Sequence, residues 1–458
     1  MPFNPHIFRM YDIRGVADQD LTGEVVFTLG RALGSYFLKN GGRRVLVGRD
    51  NRISSPRLRD ALVAGLVATG CEVWDAGEVV TPMLYFGCTH PGPGNGVMIT
   101  GSHNPPDENG FKVVANGSTI YGEEIQRIRE LVLAGSFPTG RGRVREVDVV
   151  RPYLEVLREK IHPGPRRLKV AVDCGNGTAA LFAEEVLRGW GCEVVPLYCT
   201  SDGSFPHHEP DPVKTKNLAE LRRAVVEEGC DLGVGYDGDA DRVGVVDEKG
   251  NVIWGDRLMI LFWREILPRH PGVTCIVEVK CSQALVDEIV RLGGKPLFYR
   301  TGHSLIKARM KEIGAVFTGE MSGHMFFADE YFGFDDAFYA TGRLLRILSH
   351  TGKPLSSLLA DVPVYHATAE TRIPCPDEEK FAAVSRVTEH FRNTYPVIDV
   401  DGVRVLFPDG WGLVRASNTQ PVLVARCEAR TPEGLDRICR VMHEAIRTAG
   451  VADFRWEF

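Results

Sequence analysis

Short apolar runs recur along this chain, each followed by a polar turn and then by apolar residues at helical spacing. Val45-Leu46-Val47 leads into a turn, a helix through Leu58, Leu62 and Leu66, then Gly70 and a second strand beginning at Cys71-Glu72-Val73. The pattern returns with Val170-Ala171-Val172, the turn Gly175-Asn176-Gly177, a helix to Leu187 and a strand at Val194-Val195. It returns again with Ile276-Val277-Glu278-Val279, a helix from about Ser282, Gly293-Gly294 and Pro296-Leu297-Phe298. Alternation of this kind predicts β-α-β units, hence mixed sheets with helices on their faces.

A further strand follows each unit and ends in a loop rich in chemistry. The first loop is Thr100-Gly101-Ser102-His103-Asn104-Pro105, after Val97-Met98-Ile99. The second is Asp237-Gly238-Asp239-Ala240-Asp241-Arg242, and the third is Gly319-Glu320-Met321-Ser322-Gly323-His324. Open α/β sheets carry their sites at the carboxyl ends of strands, so three similar units would each lend one loop to a shared cleft.

Beyond Val364 the pattern changes. A helix is expected around 378–392, strands at 403–407, 412–416 and 422–428, and a helix around 433–448, which together read as a small α+β domain. The basic, glycine-rich Gly140-Arg141-Gly142-Arg143 reads as a link, and Asp247-Glu248-Lys249-Gly250-Asn251 as a hairpin turn. The chain therefore divides as 1–147, 148–254, 255–364 and 365–458: three similar tandem α/β domains with mixed sheets, then the α+β domain, around a central cleft.

Composition narrows the function. Of the 458 residues, 44% are hydrophobic and 25% charged, which suits a globular protein with large cores. A net charge of −6 offers no nucleic-acid footprint, and an anionic substrate would need local basic pockets. The start of the chain lacks the basic and apolar segments of a signal peptide, and no apolar run approaches the roughly 20 residues of a membrane span. The 11 cysteines are scattered, with no Cys-x-x-Cys pair, and read as buried thiols of a cytoplasmic protein.

Gly101 is expected to free the backbone of the first loop, and Asn104-Pro105 to end any regular element. An exposed Ser102 beside His103, with Lys112 ten residues on, is a candidate nucleophile or phosphate carrier. Asp237, Asp239 and Asp241 alternate around Gly238 and suit a hard cation such as Mg²⁺, with water and phosphate completing its shell. Arg242 would face a phosphate. Lys112 or His103 would move a proton if burial or cationic neighbours lowered its pKa. Glu320, Ser322 and His324 offer partners for vicinal sugar hydroxyls. In Arg415-Ala416-Ser417-Asn418-Thr419, a guanidinium and turn donors form a phosphate cradle, with Arg426 on the next strand in support. Tyr11 and Arg14, in the polar stretch Tyr11-Asp12-Ile13-Arg14-Gly15, are placed to reach the cleft. The adjacent His207 and His208, framed by Pro206 and Pro210, are not read as metal ligands.

These motifs, with Thr301-Gly302-His303-Ser304, resemble the bacterial α-D-phosphohexomutase family, in its phosphomannomutase/phosphoglucomutase branch, over essentially the whole length. The resemblance implies a phosphorylated Ser102 that passes its phosphoryl group to a hexose monophosphate and recovers another from the 1,6-bisphosphate. It implies Mg²⁺ at Asp237, Asp239 and Asp241 with the phosphoserine, and glucose 1,6-bisphosphate as activator. Arg14, His103 and Lys112 would surround the transferring group, with Lys112 as base. Glu320 and Ser322 would hold the sugar O3 and O4, and Arg415, Ser417, Asn418 and Thr419 the other phosphate. Tyr11, Arg242, Lys280, His303, His324 and Arg426 would line the cleft. The resemblance implies hexose phosphates as partners, no nucleic acid or membrane, and a monomer or weak dimer. Many relatives carry Ala where this chain has Gly101.

Rival readings remain at this level. Gly175-Asn176-Gly177-Thr178-Ala179-Ala180 matches a dinucleotide-binding turn, but the next strand ends in Cys199-Thr200-Ser201 without a clear acidic residue. A phosphatase would use the same aspartate loop, and a sugar-phosphate binding protein the same cleft without turnover. A phosphoglucosamine mutase is disfavoured by Met321 and Asn418-Thr419, and a P-loop kinase by the lack of its motif.

Overall fold

The first sheet is mixed. Strands Arg44–Arg49, Glu72–Glu78, Gly96–Ile99 and Arg143–Glu146 run parallel, and Glu108–Ala115 and Ile13–Val16 close one edge antiparallel. The computed structural model describes residues 3–90, 92–418 and 420–458. Leu58, Leu62 and Leu66, all fully buried, seat the helix Ser55–Ala68 on this sheet, as their spacing requires. The stretch 140–143 is not a link. It bridges to Thr69 and feeds Arg143 into an edge strand beside Glu72–Glu78. Charged residues at every second position suit such an edge, because they face water and discourage further pairing.

The second sheet orders Val252–Ile253, Val243–Asp247, Leu232–Tyr236, Lys169–Asp173 and Glu193–Leu197, and is mixed as well. Its helix is broken, with a 3₁₀ turn at Thr178–Leu181 before Ala183–Gly189. In the third unit Thr274–Glu278 pairs with Lys295–Tyr299, and Phe317–Gly319 pairs with Met325–Phe327. Thr318 Oγ1 donates to Ile276 O at 2.8 Å and ties the two ladders together. The last sheet is antiparallel, built on Val403–Phe407, Gly410–Ala416 and Val422–Ala429, and packed against helices Lys380–Arg392 and Pro432–Thr448.

One apolar core runs from Leu46 and Phe86 through Tyr153 and Trp190 to Trp263 and Leu345, so it joins the first three sheets. The fourth sheet has a core of its own, around Val387, Leu423 and Met442. Among the described residues, no helix is long and apolar enough to cross a membrane.

Candidate active site

The first loop leaves its strand in a constrained form. Ser102 takes φ 50°, a left-handed conformation that non-glycine residues rarely adopt. The sequence suggested that Gly101 would supply the backbone freedom, but Gly101 has no positive φ. It supplies space instead, since a Cβ there would strike the guanidinium of Arg52. That guanidinium is fully buried and donates to the carbonyls of Ser102 at 2.8 Å, Asn104 at 2.6 Å, Glu108 at 3.0 Å and Pro105. Asp50 Oδ2 accepts from Gly101 N at 3.1 Å, and Thr100 Oγ1 accepts from Ser102 N at 2.8 Å. Four hydrogen bonds from one planar fork explain how a strained turn is held. Sequence reasoning missed Arg52 and Asp50, although Asp50-Asn51-Arg52 is itself a polar run at the end of an apolar strand.

Ser102 Oγ donates to Asp237 Oδ2 at 2.8 Å and lies 3.2 Å from His103 Nδ1. The second loop reaches it because Gly238 has no side chain, and a Cβ there would collide with Ser102 O. The dinucleotide-like turn backs this same loop: Thr178 N donates to Gly238 O at 2.9 Å. Asp237, Asp239 and Asp241 are fully buried, with one oxygen of each within 4.8 Å of the others. Asp239 Oδ1 and Asp241 Oδ1 have no hydrogen-bond partner. Three converging carboxylates with buried free oxygens fit a hard divalent cation. Burial and then Asp241 and Asp239 push the Asp237 carboxyl well above the usual carboxylate range.

Lys112 reaches this loop from the strand Glu108–Ala115. Its Nζ donates to Asp239 Oδ2 at 2.6 Å and to Asp241 Oδ2. Burial works against its charge, but Asp239 and Asp241 more than offset that and hold the ammonium protonated. A base role for Lys112 therefore meets a charged group pinned between two carboxylates. His103 is driven the other way, well below the ordinary imidazole value, by burial and then by Arg242 and Arg14. Arg14 Nη1 donates to Asn104 Oδ1 at 3.1 Å, and its Nε pairs with Asp12.

A cavity of about 470 Å³ opens above Ser102. Its wall brings together Tyr11, Arg14, His103, Lys112, Arg242, Lys280, His303, Glu320, Ser322, His324, Arg415, Ser417 and Asn418 from all four units. Glu320 Oε1 accepts from Gly302 N at 2.7 Å, which joins the third loop to the turn before His303. His324 Nε2 accepts from Arg242 Nε at 2.9 Å, and its Nδ1 lies 3.0 Å from Asp335 Oδ2. Tyr11 packs edge-on against His303 at 5.1 Å, and burial, then Asp12 and Glu320, push its phenol up to about 12. Lys280 Nζ pairs with Glu370 at 2.9 Å. Arg415 Nε donates to Asp401 Oδ2 at 2.8 Å, and Lys380 Nζ donates to Ser417 O at 2.6 Å.

Thr419 lies outside the described residues. Arg426 does not line the cavity: its guanidinium donates to Lys280 O, faces Asp256 Oδ2 at 3.6 Å and lies over Trp411, because buried acceptors on the neighbouring unit claim it first. Arg9 and Arg372, which carried no motif, stand on the wall in its place. The wall is thus locally basic within a chain of net charge −6. This is the local field an anionic ligand requires.

Four family models match the chain in order: phosphoglucomutase/phosphomannomutase alpha/beta/alpha domain I over residues 5–139, domain II over 151–250, domain III over 254–365 and the C-terminal domain over 370–445. The chain is 46% identical over 442 residues to a phosphomannomutase/phosphoglucomutase of Pseudomonas aeruginosa, covering 96% of this chain and 95% of that one. It is 43% identical over 437 residues to a phosphoglucomutase of Neisseria meningitidis serogroup A, covering 94% and 95%. A crystal structure of a phosphoglucomutase/phosphomannomutase family protein from Burkholderia thailandensis superposes with a TM-score of 0.93 at 39% identity, covering 100% of both chains.

Proposed function

Because the chain belongs to the phosphoglucomutase/phosphomannomutase family, we propose that it is an isomerase interconverting hexose 1-phosphate and hexose 6-phosphate, of glucose and of mannose. Ser102 carries the phosphoryl group, and a 1,6-bisphosphate is the intermediate. The observation that carries this reading is the buried Ser102 hydroxyl, 2.8 Å from Asp237, at the base of a basic cavity to which every unit contributes.

In the first half-reaction a sugar hydroxyl attacks the phosphorus on Ser102, the P–Oγ bond breaks and Oγ takes up a proton. After the bisphosphate turns over, Oγ attacks the other phosphate and gives that proton up. His103, neutral and 3.2 Å from Oγ, is the group that moves it. Lys112 and Arg14 enter charged and offset the anion as it moves between oxygens. Glu320 and Ser322 hold O3 and O4, while Arg415, Ser417 and Asn418 grip the phosphate that is not reacting. Contacts at O3 and O4 ignore C2, where glucose and mannose differ, so both sugars fit one grip. Asp237, Asp239 and Asp241 would hold Mg²⁺, which when bound neutralises charge on the transferring group.

Phosphorus NMR of glucose 1-phosphate and mannose 1-phosphate, with Mg²⁺ and a trace of glucose 1,6-bisphosphate, tests this directly. Both 6-phosphates should appear without free phosphate, and Ser102→Ala or a chelator should stop them. Conversion of one sugar alone would mean that C2 is read. Release of inorganic phosphate would make the chain a phosphatase, and no conversion at all would end the mutase reading.

A further inference from the structure

Two cysteines meet in the second unit, at the carboxyl ends of its parallel strands. Cys174 directly follows the strand Lys169–Asp173, and Cys199 lies two residues beyond Glu193–Leu197. These strands are parallel neighbours with Asp173 opposite Leu197. Backbone bonds carry the pairing past the sheet: Cys174 N donates to Leu197 O at 3.2 Å, and Asn176 N to Tyr198 O at 3.0 Å. Tyr198 takes φ 51°, and beyond that bend the Cys199 Sγ comes to 3.3 Å from the Cys174 Sγ. Adjacent strands lie about 4.8 Å apart, within the Cα separations that a disulfide spans.

Access separates the two thiols. Cys174 is fully buried, whereas Cys199 is partly exposed. The hydrogen bond that Cys174 donates to Cys199, and then burial, keep the Cys174 thiol protonated. Cys199 is therefore the sulfur that meets an oxidant, and Cys174 the one that resolves it.

We propose that Cys174 and Cys199 form a reversible disulfide in response to peroxide, and that closing it lowers turnover. Cys199 sulfur attacks one peroxide oxygen, the O–O bond breaks, and a sulfenic acid and hydroxide result. Cys174 sulfur then attacks the sulfenic sulfur, the S–S bond forms and the S–O bond breaks. The thiol protons leave with the two oxygens as water, so two thiols and one peroxide give one disulfide and two waters. In a reducing compartment such a bond is transient, as a sensor requires.

The link has a mechanical route to the site. Drawing the sulfurs from 3.3 Å to a bond of about 2.05 Å pulls the two turns together. Gly177 N donates to Cys174 O at 2.7 Å, and the next residue, Thr178, donates to Gly238 O in the aspartate loop at 2.9 Å. On the other side, Asn51 Nδ2 donates to Asn176 O at 2.7 Å and to Ser201 Oγ at 2.9 Å, beside the arginine that clamps the serine loop.

The test is to treat the full chain with a small excess of hydrogen peroxide, block free thiols, and map peptides by mass spectrometry. The expected result is a linked pair of peptides carrying Cys174 and Cys199, two hydrogen atoms lighter than the reduced pair. Glucose 1-phosphate turnover should fall several-fold, and dithiothreitol should reverse both changes. Cys199→Ser should form no link and keep its turnover, while Cys192→Ser, altered at the other end of the strand Glu193–Leu197, should behave as the parent. Free or sulfinic Cys199 beside an unmodified Cys174, or a link instead between Cys427 and Cys439, two hydrogen-bonded thiols of the fourth unit, would overturn the site. A link at unchanged turnover would overturn its effect on the site. The mass readout holds whether or not the chain is a mutase.

Discussion

Arg52 and Lys112 are the residues on which single substitutions should be most informative. Removing the Arg52 guanidinium takes a donor from four carbonyls of the serine loop and the ion-pair partner from Asp50. Arg52→Ala should lower kcat about 100-fold, the scale of a misplaced nucleophile, while KM for the hexose phosphate, bound by other loops, stays within about twofold. Arg52→Lys, with one ammonium for a fork, should fall between. Lys112 allows a choice between charge and base: Lys112→Arg keeps the cation but cannot act as a base at neutral pH. It should retain more than about a tenth of turnover where Lys112→Met loses about 1000-fold, and equal loss in both would restore the base reading. Ser102, the aspartates and Arg415 were legible because each stands in a motif with its own chemistry. Arg52 was not, because its work is done on backbone carbonyls, which leave no mark on sequence. Arg426 misled because a strand-borne arginine near a phosphate loop gives no hint that Lys280 O and Asp256 will capture it.

The helix Ala337–Ser349 shows how one cap couples an element to pH. Its N-cap, Asp336, accepts from Tyr339 N at 2.9 Å, from Tyr153 Oη at 2.8 Å and from Tyr331 Oη at 2.8 Å. Burial nevertheless raises its carboxyl from 3.8 to about 6. The unfolded chain therefore releases this proton before the folded one does, and ionised Asp336 costs stability as pH rises from about 4 to about 6. The loss approaches about 3 kcal/mol at neutral pH. Asp336→Asn should flatten that part of the dependence of Tm on pH while keeping the cap; an unchanged slope would assign it to other groups. At this scale the hydrophobic pattern was a good guide: Val403–Phe407 stands where alternation placed it, and Pro432–Thr448 begins within a residue of expectation. It failed at 140–143, where glycine and arginine suggested a link. An edge strand needs no apolar face, so its sequence resembles a loop.

Across the whole molecule, the fourth unit is pinned to the third by a small set of backbone contacts. Arg404, fully buried, donates to Val279 O at 2.8 Å and Cys281 O at 2.7 Å and stacks on Trp411. Gln283 N donates to Glu428 Oε1 at 2.8 Å. Arg404→Met should raise KM for hexose phosphates about tenfold, the worth of a lost charged hydrogen bond, and enlarge the scattering radius of the ligand-free protein. A hinge near the exposed Val364 predicts that bisphosphate contracts the parent, and identical profiles with and without it would count against motion. Division into similar units could be read from repetition, but the sharing of one core could not, because apolar residues do not declare which unit they face. That sharing has a calorimetric consequence. The first three sheets should melt together in one large endotherm, since no boundary within their common core can open alone. The last unit should melt in a smaller, separate peak that anionic ligands shift upward, because they bind it only while it is folded.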